Sequence, residues 1–459
     1  MIALPLIASL ACSALATEPV AVPSVDRPVT ARMQPEKAQA MYSTQVLGDL
    51  DHPVGTAITI AGTTIAARIG AKGELELDLK GDGKFRTYAR TAMVPLTLDL
   101  PAADGKKKPF ALSLYVQKGV DGAWTYRNAT QLTLAIGGEA LAVIDVDGDG
   151  IYNEAAIDGM AWAGHAWLFP LPASDERWCT ATLDCTALAF GPQGQDARLS
   201  ARPLATTVPE ALPVLRNVNH ERVLIGLTPR PENPRLSADL QKHCHYMVLN
   251  DTLTHPEDAG KPGFTKEGHE AGMNSILGMG TAADRLAAIM VETYFHRQDV
   301  IRPETRAFGV GYEGRYGGID GRRDMGNSGA YRWPVLCPVP NQAEIAVAYA
   351  KESPDACPGD QAAGYPITVF FGSGKASLTA WSLKAVSGKA PGAALDCYPF
   401  DHKTGAGAEF SGYQNCVCIM AKDPLQGGTT YEVMIKAEHD GKPWERTWRF
   451  TTVGGGKKR

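Results

Sequence analysis

The sequence has little excess charge, few aromatic residues and no long apolar run, and each absence excludes a class of protein. Lys and Arg number 45 against 50 Asp and Glu, which gives a net charge of −5 at neutral pH. Such a mild balance does not favour nucleic acid or an anionic membrane as the partner. No apolar run reaches the roughly 18–20 residues that a spanning helix needs, so we expect no transmembrane segment.

Residues that form turns are abundant instead. The chain has 48 glycines and 31 prolines among 459 residues, and only 8% of its residues are aromatic. This composition favours many turns and short strands over a helical bundle. At about 100–200 residues per domain, the length predicts two to four domains. We expect an α+β multidomain protein with an N-terminal antiparallel β domain and a C-terminal Ig-like β-sandwich.

Residues 1–16 have the features of a secretory signal peptide. The apolar stretch ends in Ala14-Leu15-Ala16, which matches a small-x-small cleavage site. We therefore expect a secreted, extracellular protein. The alternative is a lipid anchor at the cell surface through Cys12, although Ser9 stands where a lipobox prefers leucine. Residues 17–39 are predicted to be an extended linker.

Eight of the nine cysteines follow the signal peptide, and an even number in an exported chain suggests disulfide bonds. Local spacing favours one bond between Cys179 and Cys185 and another between Cys337 and Cys357. A structural zinc site is the rival interpretation. It is disfavoured because Cys416-Val-Cys418 has one intervening residue rather than two to four.

Residues 40–203 show short runs of period-two alternation between glycine turns, such as Leu75-Glu-Leu-Asp-Leu79. This pattern predicts an antiparallel β-rich domain. Residues 73–86 also resemble residues 138–153, which indicates either a duplicated hairpin or a chance similarity.

The second of these stretches predicts a Ca²⁺ loop, since it places carboxylates at alternate positions before a glycine turn. It departs from the EF-hand pattern because the twelfth position is Ala156, so a bidentate ligand has to come from Glu154 or Asp158. The alternative is an acidic β-turn with solvated aspartates. The candidate calcium ligands are Asp145, Asp147, Asp149, Ile151, Asn153, Glu154 and Asp158.

Residues 208–324 change to helical periodicity. One helix follows Pro234, with a single apolar stripe made of Leu236, Leu240, Cys244, Met247 and Val248. A second helix is predicted from Thr281, with Asp284 as a capping-box partner, to a point near residue 293.

The remaining chain divides into three parts. Residues 325–363 are predicted to be a Pro-rich connector, and residues 454–459 a tail. Between them, residues 364–453 return to alternation, and the stretch Tyr431–Ala437 followed by Asp440-Gly441 predicts a β-hairpin within the sandwich.

Six of the ten histidines lie in the middle region, an enrichment that suggests a site. Glu292 and His296 are four residues apart, so they share one face if the helix continues through them. A neutral imidazole and a carboxylate in that arrangement can bind a divalent metal or exchange a proton.

The middle region resembles the CAP superfamily, the cysteine-rich secretory, antigen 5 and pathogenesis-related group with SCP-like extracellular domains. The resemblance covers about a quarter of the chain. It rests on an ordered series of motifs: Asn219-His-Glu-Arg222, Gln241–Met247, Leu253-Thr-His255, His296-Arg297 and Phe308-Gly-Val-Gly311.

This resemblance implies a central CAP-like α-β-α sandwich over residues 208–324, with a cleft lined by two histidines and two acidic residues. By position the histidines are His255 and His296, and the acids are Glu267 and Glu292. Glu270 is the alternative first acid, because the usual Gly-Glu-Asn is replaced by Glu267-Gly-His-Glu270.

The resemblance also implies secretion and a cleft that binds divalent cations, with lipids or sterols bound by some members. We therefore expect a non-catalytic binding protein for a small-molecule, lipid or protein ligand, with Zn²⁺ or a similar cation on the two histidines. One alternative is a metal-dependent peptidase or esterase that uses a cleft glutamate as general base. The other alternative is an adhesive or structural protein of the cell surface.

Overall fold

The computed structural model describes most of the chain after residue 27. The described residues are 28–31, 33–37, 42–45, 47, 50–101, 106–119, 121–162, 165, 167–326, 333–357, 362–387, 390–405 and 413–454. The signal peptide, Cys12, much of the linker and all but the first residue of the tail lie outside them. No helix among the described residues is both long enough and apolar enough to cross a membrane.

The described residues up to Pro203 form strands and connecting turns. These strands are β1 (Pro28–Ala31), β2 (Gln34–Lys37), β3 (His52–Pro53), β4 (Ala57–Ile60), β5 (Thr63–Ile69), β6 (Leu75–Asp78), β7 (Arg86–Tyr88), β8 (Ala92–Pro101), β9 (Lys107–Lys118), β10 (Trp124–Asn128), β11 (Thr130–Ile136), β12 (Glu139–Ile144), β13 (Gly159–Trp162), β14 (Phe169–Pro170), β15 (Trp178–Cys179), β16 (Leu183–Ala189) and β17 (Ala197–Pro203). They form antiparallel sheets of order β3-β10-β9-β8, β4-β5-β6-β7, β14-β13-β12-β11-β2 and β1-β17-β16-β15.

Two large cores and one smaller buried cluster occupy this N-terminal part, and the smaller cluster lies between the segment before β3 and one face of strands β12 and β13. Sheets β3-β10-β9-β8 and β4-β5-β6-β7 enclose the first core, which includes Ile58, Leu75 and Trp124. The other two sheets enclose a second core around Leu132 and Phe169. Alternation shows which face of each strand is buried but not which sheets pack together, so the sequence did not separate the two.

The middle region contains the helices and a small antiparallel sheet of order β18-β20-β19. Its elements are α1 (Leu212–Leu224), α2 (Pro234–Asn250), α3 (Lys266–Asn274), β18 (Ile276–Met279), α4 (Leu286–Val291), α5 (Arg297–Ile301), β19 (Gly309–Glu313) and β20 (Tyr316–Asp320). The predicted helix α2 is confirmed. The Asn233 side chain caps its first turn, and Asp251 ends it in a left-handed conformation with φ 45°.

Helices pack on both faces of this sheet. Glycines face α2, and a Cβ on Gly309 would lie 2.7 Å from the Cβ of Leu236. On the opposite face, Val310 and Ile319 join a core shared with α1 and α4. Because glycine has no side chain, the backbone of α2 packs directly against the backbone of the sheet. This close packing fixes the position of α2 and of the loop that follows it.

The predicted helix from Thr281 into the 290s is much shorter than expected. Helix α4 ends at Val291, the next helix begins at Arg297, and no side-chain cap precedes α4. The physical cause is a competing acceptor. The backbone N–H groups of Tyr294, Phe295 and His296 donate to the carboxylate of Glu352. Glu292 and His296 therefore do not share a helix face, contrary to the sequence prediction.

The C-terminal part contains two four-stranded antiparallel sheets, β21-β22-β26-β25 and β24-β23-β27-β28. The strands are β21 (Val335–Cys337), β22 (Ile367–Phe370), β23 (Ala376–Ser387), β24 (Ala390–Ala394), β25 (Cys397–Phe400), β26 (Cys416–Ala421), β27 (Thr430–His439) and β28 (Lys442–Thr451). The predicted hairpin is confirmed, because β27 pairs with β28 across Asp440-Gly441. Strand β21 comes from the expected connector and joins the first of these sheets.

The structure is thus mostly β, with seven antiparallel sheets and few helices among the described residues. All eight cysteines in these ranges are buried free thiols, so the predicted disulfides are absent. Strand register explains one absence. Cys179 lies opposite Asp184 and Cys185 lies opposite Trp178, so the two thiols project from opposite faces of the ladder. Cys337 instead approaches the Tyr365 hydroxyl at 3.4 Å.

Candidate functional site: a histidine-lined cavity and an acidic loop

A cavity of about 470 Å³ lies beside α4 in the middle region. Both predicted histidines line it, although 40 residues separate His255 from His296 in the sequence. The loop after α2 supplies His255, and the turn between α4 and α5 supplies His296. Apolar side chains make up much of the rest of the wall, namely Leu253, Leu277, Met279, Ile289 and Met290.

The loop that carries His255 is fixed by a buried histidine on α2. His243 is fully buried, with Nδ1 3.0 Å from Glu257 Oε1 and Nε2 2.8 Å from the carbonyl of Thr254. Both partner atoms are hydrogen-bond acceptors, so the ring bridges two points of one loop. Gly272 of α3 packs so closely that an added Cβ would collide with His243 and with the carbonyl of His255.

The hydrogen bond of His255 determines which ring nitrogen is protonated. Its Nδ1 lies 2.7 Å from the carbonyl oxygen of Gly272. A carbonyl only accepts, so Nδ1 carries the proton and Nε2 of the neutral ring keeps its lone pair. Nε2 has no hydrogen-bond partner among the described residues, which leaves it available to a metal or ligand.

His296 is oriented in the same way by a carboxylate. Its Nδ1 donates to Glu352 Oε2 at 2.7 Å, and the side chain of Glu352 is only 1% exposed. The imidazole Nε2 is again the free atom on the far side of the ring. A carboxylate or carbonyl on the second nitrogen is the arrangement that fixes metal-ligating histidines.

Glu352 also organises the backbone around His296. Its two carboxylate oxygens accept the N–H groups of Tyr294 at 2.7 Å, Phe295 at 3.0 Å and His296 at 3.1 Å, and Oε1 accepts the Tyr349 hydroxyl at 3.1 Å. Charge-assisted bonds of this kind are stronger than neutral ones. Glu352 therefore holds the histidine but has little capacity left to bind a metal itself.

The sequence did not identify Glu352. It lies 56 residues from His296 in the expected connector, within Lys351-Glu352-Ser353, and no spacing or periodicity links it to the histidine. The feature that points to Glu352 is the set of backbone N–H groups at residues 294–296, which have no helical acceptor because the helix ends. That helix end is visible only in the folded structure.

The predicted acids are not at the cavity wall. Glu267 is exposed on α3 and lies 3.5 Å from the ammonium of Lys242. Glu270 is also exposed, 3.8 Å from Arg323. Glu292 is half-buried, and it is not among the described residues that line the cavity. The structure brings the two histidines together and replaces the predicted acids with Glu352.

The acidic loop lies in the second β core, between β12 and β13. Ligand oxygens of Asp145, Asp147 and Asp149 all lie within 4.8 Å of one another. Asp145 is buried, and its carboxylate accepts the backbone N–H groups of Gly148 at 2.7 Å and Gly150 at 2.9 Å. Asp147 and Asp149 are exposed.

The other predicted calcium ligands are distributed around this group. Asn153 donates its side-chain amide to the carbonyl of Phe190 at 2.7 Å, away from the aspartates. The Ile151 N–H donates to Asp149 at 2.7 Å. Asp158 is fully buried, where it accepts the N–H of Glu154 at 2.9 Å. Glu154 has one buried carboxylate oxygen, Oε2, without a hydrogen-bond partner among the described residues.

The electrostatics of the loop favour a cation or protons. Burial raises the pKa of Asp145 to about 7. Burial likewise raises the pKa of Asp158 to about 9, with the neighbouring Asp145 and Asp147 charges adding to the effect. The pKa values of Asp149 and Glu154 are also raised, mainly by burial and then by nearby carboxylates. A bound cation would reverse this repulsion.

No family model matches the chain, and no curated protein matches it. Among solved structures, the chain shows a weak likeness to an extracellular protein from Bacillus anthracis str. Ames that contains an SCP domain. The two share 9% sequence identity with a TM-score of 0.20, and the match covers 58% of this chain and 87% of that chain. A TM-score this low does not establish a common fold.

Proposed function

We propose that the protein is a secreted binding protein whose ligand occupies the histidine-lined cavity of a CAP-like middle domain. The carrying observation is that His255 and His296 both line one cavity of about 470 Å³. Each ring is held through Nδ1, so each presents Nε2 to the cavity. The apolar walls contact the body of the ligand, and the imidazoles bind its polar end.

A divalent cation such as Zn²⁺ fits this site as a partner of the two imidazoles. Neutral histidine is a common zinc ligand, and both rings have the fixed tautomer that ligation requires. Glu352 supports His296 from behind rather than joining the metal, because its oxygens already accept backbone N–H groups. The chain thus supplies two ligands, and water or the bound molecule supplies the others. When bound, the cation would act as a Lewis acid toward an oxygen of the ligand.

The placement of the carboxylates favours a binding function over a hydrolytic one. A metal-dependent peptidase or esterase needs a general base within hydrogen-bonding reach of the attacking water. The carboxylate among the described cavity residues is Glu352, which is 1% exposed and already hydrogen-bonded to the 294–296 backbone. A hydrolase would therefore need one of the two imidazoles as its base, and the cation would then keep only the other as a histidine ligand.

Calorimetric titration with ZnCl₂ tests the proposal. We expect the purified full chain to bind Zn²⁺, and His255→Ala and His296→Ala to weaken binding at least tenfold each. His245→Ala is the matched control, since His245 lies in the same region, is exposed and contacts Glu313. Unchanged Zn²⁺ binding in the double variant His255→Ala/His296→Ala would contradict the proposal.

The hydrolase alternative has its own test. The full chain is incubated with casein and with generic ester substrates, with and without a chelator. The binding proposal expects no turnover under either condition. Chelator-sensitive turnover that disappears in His296→Ala would instead assign the cavity to an enzyme.

The acidic loop supports a second candidate function, Ca²⁺ binding that stabilises the second β core. The supporting observation is the group formed by Asp145, Asp147 and Asp149. Burial also destabilises the ionised form of the nearby Asp158 side chain, which a bound cation would stabilise. Clustered carboxylate oxygens are the ligands that Ca²⁺ prefers. The role is structural, because the loop and the histidine-lined cavity involve different residues in different parts of the fold.

A further inference from the structure

A second cavity, of about 320 Å³, lies where three parts of the chain meet. The N-terminal segment and first β core contribute Thr44, Asp51 and Arg127, the connection between β13 and β14 contributes Trp167, and the C-terminal part contributes Pro340 and Arg446. None of these residues lines the histidine cavity. We call this the junction pocket.

The walls of the junction pocket are fixed by buried contacts. Gln45 is buried beside it and joins the N-terminal segment to the middle region and to the C-terminal part. Its amide Nε2 donates to the carbonyl of Ile225 at 2.6 Å, and its Oε1 accepts the N–H of Leu336 at 2.9 Å. Ser43 pairs with Trp167 as an isolated bridge, and the Leu168 N–H donates to the Ser43 carbonyl at 2.8 Å. A pocket that is already formed loses little conformational entropy on binding.

The acidic residue of the pocket is already neutralised. Arg127 contacts Asp51 through two parallel bonds, Nε to Oδ1 at 2.7 Å and Nη2 to Oδ2 at 2.8 Å. The remaining Nη1 of Arg127 donates to the Tyr42 carbonyl at 2.7 Å. Both guanidinium edges are therefore occupied, and this pair adds no net charge to the pocket.

Arg446 supplies the uncompensated charge. It is exposed on edge strand β28 and forms no ion pair with any residue the structure describes. Its strand neighbours are paired: Glu445 contacts Lys436 at 2.8 Å and Arg449 contacts Glu432 at 2.6 Å. A guanidinium in a concave site presents a planar fork of donors that suits a carboxylate.

Two further features of the pocket indicate what the rest of the ligand, beyond its carboxylate, looks like. Asp51 is 32% exposed, and its two oxygens accept three bonds, from Arg127 and from Gln117 at 3.2 Å. A carboxylate has about four acceptor positions, so one remains for a ligand hydroxyl. Trp167 adds the face of a half-buried indole, against which a ring can stack.

We propose that the junction pocket binds a small hydroxylated carboxylate with a ring-shaped body, such as a uronic acid. The carboxylate contacts Arg446, a ring hydroxyl donates to Asp51, and the ring lies against Trp167. This proposal does not depend on the function of the histidine cavity, because no residue is shared between the two.

Ligand binding to the full chain tests the proposal, with glucuronate, glucose and acetate as probes in calorimetry and saturation-transfer NMR. We expect glucuronate to bind more tightly than either glucose or acetate, because only glucuronate has both the carboxylate and the hydroxylated ring. Arg446→Gln should weaken glucuronate binding roughly 10- to 100-fold, the loss expected for a charge-assisted contact.

The matched control is Arg449→Gln, an exposed arginine three positions further along the same strand and therefore on its other face. It should bind glucuronate as the unchanged protein does. Thermal unfolding of both variants establishes that they are folded. Equal affinity for acetate and glucuronate, equal affinity for glucose and glucuronate, or equal losses in the two variants would each overturn the proposal, as would the absence of glucuronate binding.

Discussion

Two turns in the N-terminal part, at residues 78–83 and 145–150, have almost the same backbone arrangement. Each begins with an aspartate whose carboxylate accepts three backbone N–H groups of the turn. Each places glycines in the left-handed region, with φ 66° and 78° in the first turn and 76° and 83° in the second. The similarity between residues 73–86 and 138–153 therefore corresponds to a shared local structure.

The electrostatics of the two turns differ. Lys80 occupies the position that Asp147 has in the second turn. Backbone N–H groups, that of Gly83 above all, lower the pKa of Asp78, whereas burial raises the pKa of Asp145 to about 7. The comparison teaches that an aspartate can satisfy this turn without a metal. The additional carboxylates, not the turn itself, create the candidate cation site.

The largest expected effect concerns the first aspartate of each turn. Asp145→Ala should lower the free energy of unfolding by about 3–4 kcal/mol, because it leaves buried N–H groups and the Asn128 amide without their acceptor. Asp78→Ala should cost less than half as much, since that turn is closer to solvent. Urea unfolding at pH 5.5 with chelator measures both, and equal losses would break the comparison.

The second effect is a pH dependence that belongs to one turn. Burial raises the folded-state pKa of Asp145 to about 7 and that of Asp158 to about 9, both above the unfolded value of 3.8. The folded state then binds more protons than the unfolded state, so stability falls as the pH rises from about 4 toward 9.

With chelator present, we expect a loss of about 3 kcal/mol between pH 5 and pH 6, because each of the two carboxyl groups contributes about 1.4 kcal/mol per pH unit in this range. Saturating Ca²⁺ should remove most of it, because the cation replaces the protons. Urea midpoints at the two pH values, with and without Ca²⁺, measure the effect. Stability that rises with pH in chelator would contradict the assignment.

The third effect is stabilisation by Ca²⁺ itself. At one hundred times its dissociation constant, a ligand adds about 2.7 kcal/mol, which raises Tm by roughly 5–10 °C for a domain of this size. Asp147→Asn/Asp149→Asn should abolish the rise. Asp82→Asn, at the matching position of the first turn, should leave it intact. A rise that persists in the double variant would locate the Ca²⁺ site elsewhere.

The smallest expected effect on stability comes from exchanging Asp147 and Lys80, the residues at the position where the two turns differ. Asp147→Lys places an ammonium where the first turn has Lys80, so we expect the Ca²⁺ response to disappear. The stability change should stay under about 1 kcal/mol, since the position is exposed. Lys80→Asp should not create a Ca²⁺ response, because the first turn has no counterpart of Asp158. Thermal unfolding with and without Ca²⁺ measures both variants.

Local pattern predicted local structure well in this chain. The apolar stripe of α2 and the β27–β28 hairpin were both recognised, because hydrophobic periodicity and turn residues act over a few neighbours. The helix after Thr281 was predicted too long for a non-local reason. A carboxylate 56 residues away accepts the backbone N–H groups that would have continued the helix.

The candidate site was predictable in part. The resemblance of the middle region predicts His255 and His296, and both line the cavity. It also predicts Glu267 or Glu270 as the first acid, but both face solvent on α3. The disulfide between Cys179 and Cys185 was predicted from short spacing alone, whereas the strand register places the two thiols on opposite faces.

The sequence by itself determined the turns, the alternation of the strands and the residue types that carry chemistry, since these depend on backbone sterics and on hydrophobic burial over a few residues. Only the tertiary structure decided which carboxylate supports His296, which sheets pack together around each β core, and that Arg446 lines one pocket with Trp167 and Asp51. Those outcomes depend on which distant surfaces pack together, and packing depends on the summed shape and burial of whole faces rather than on any local pattern.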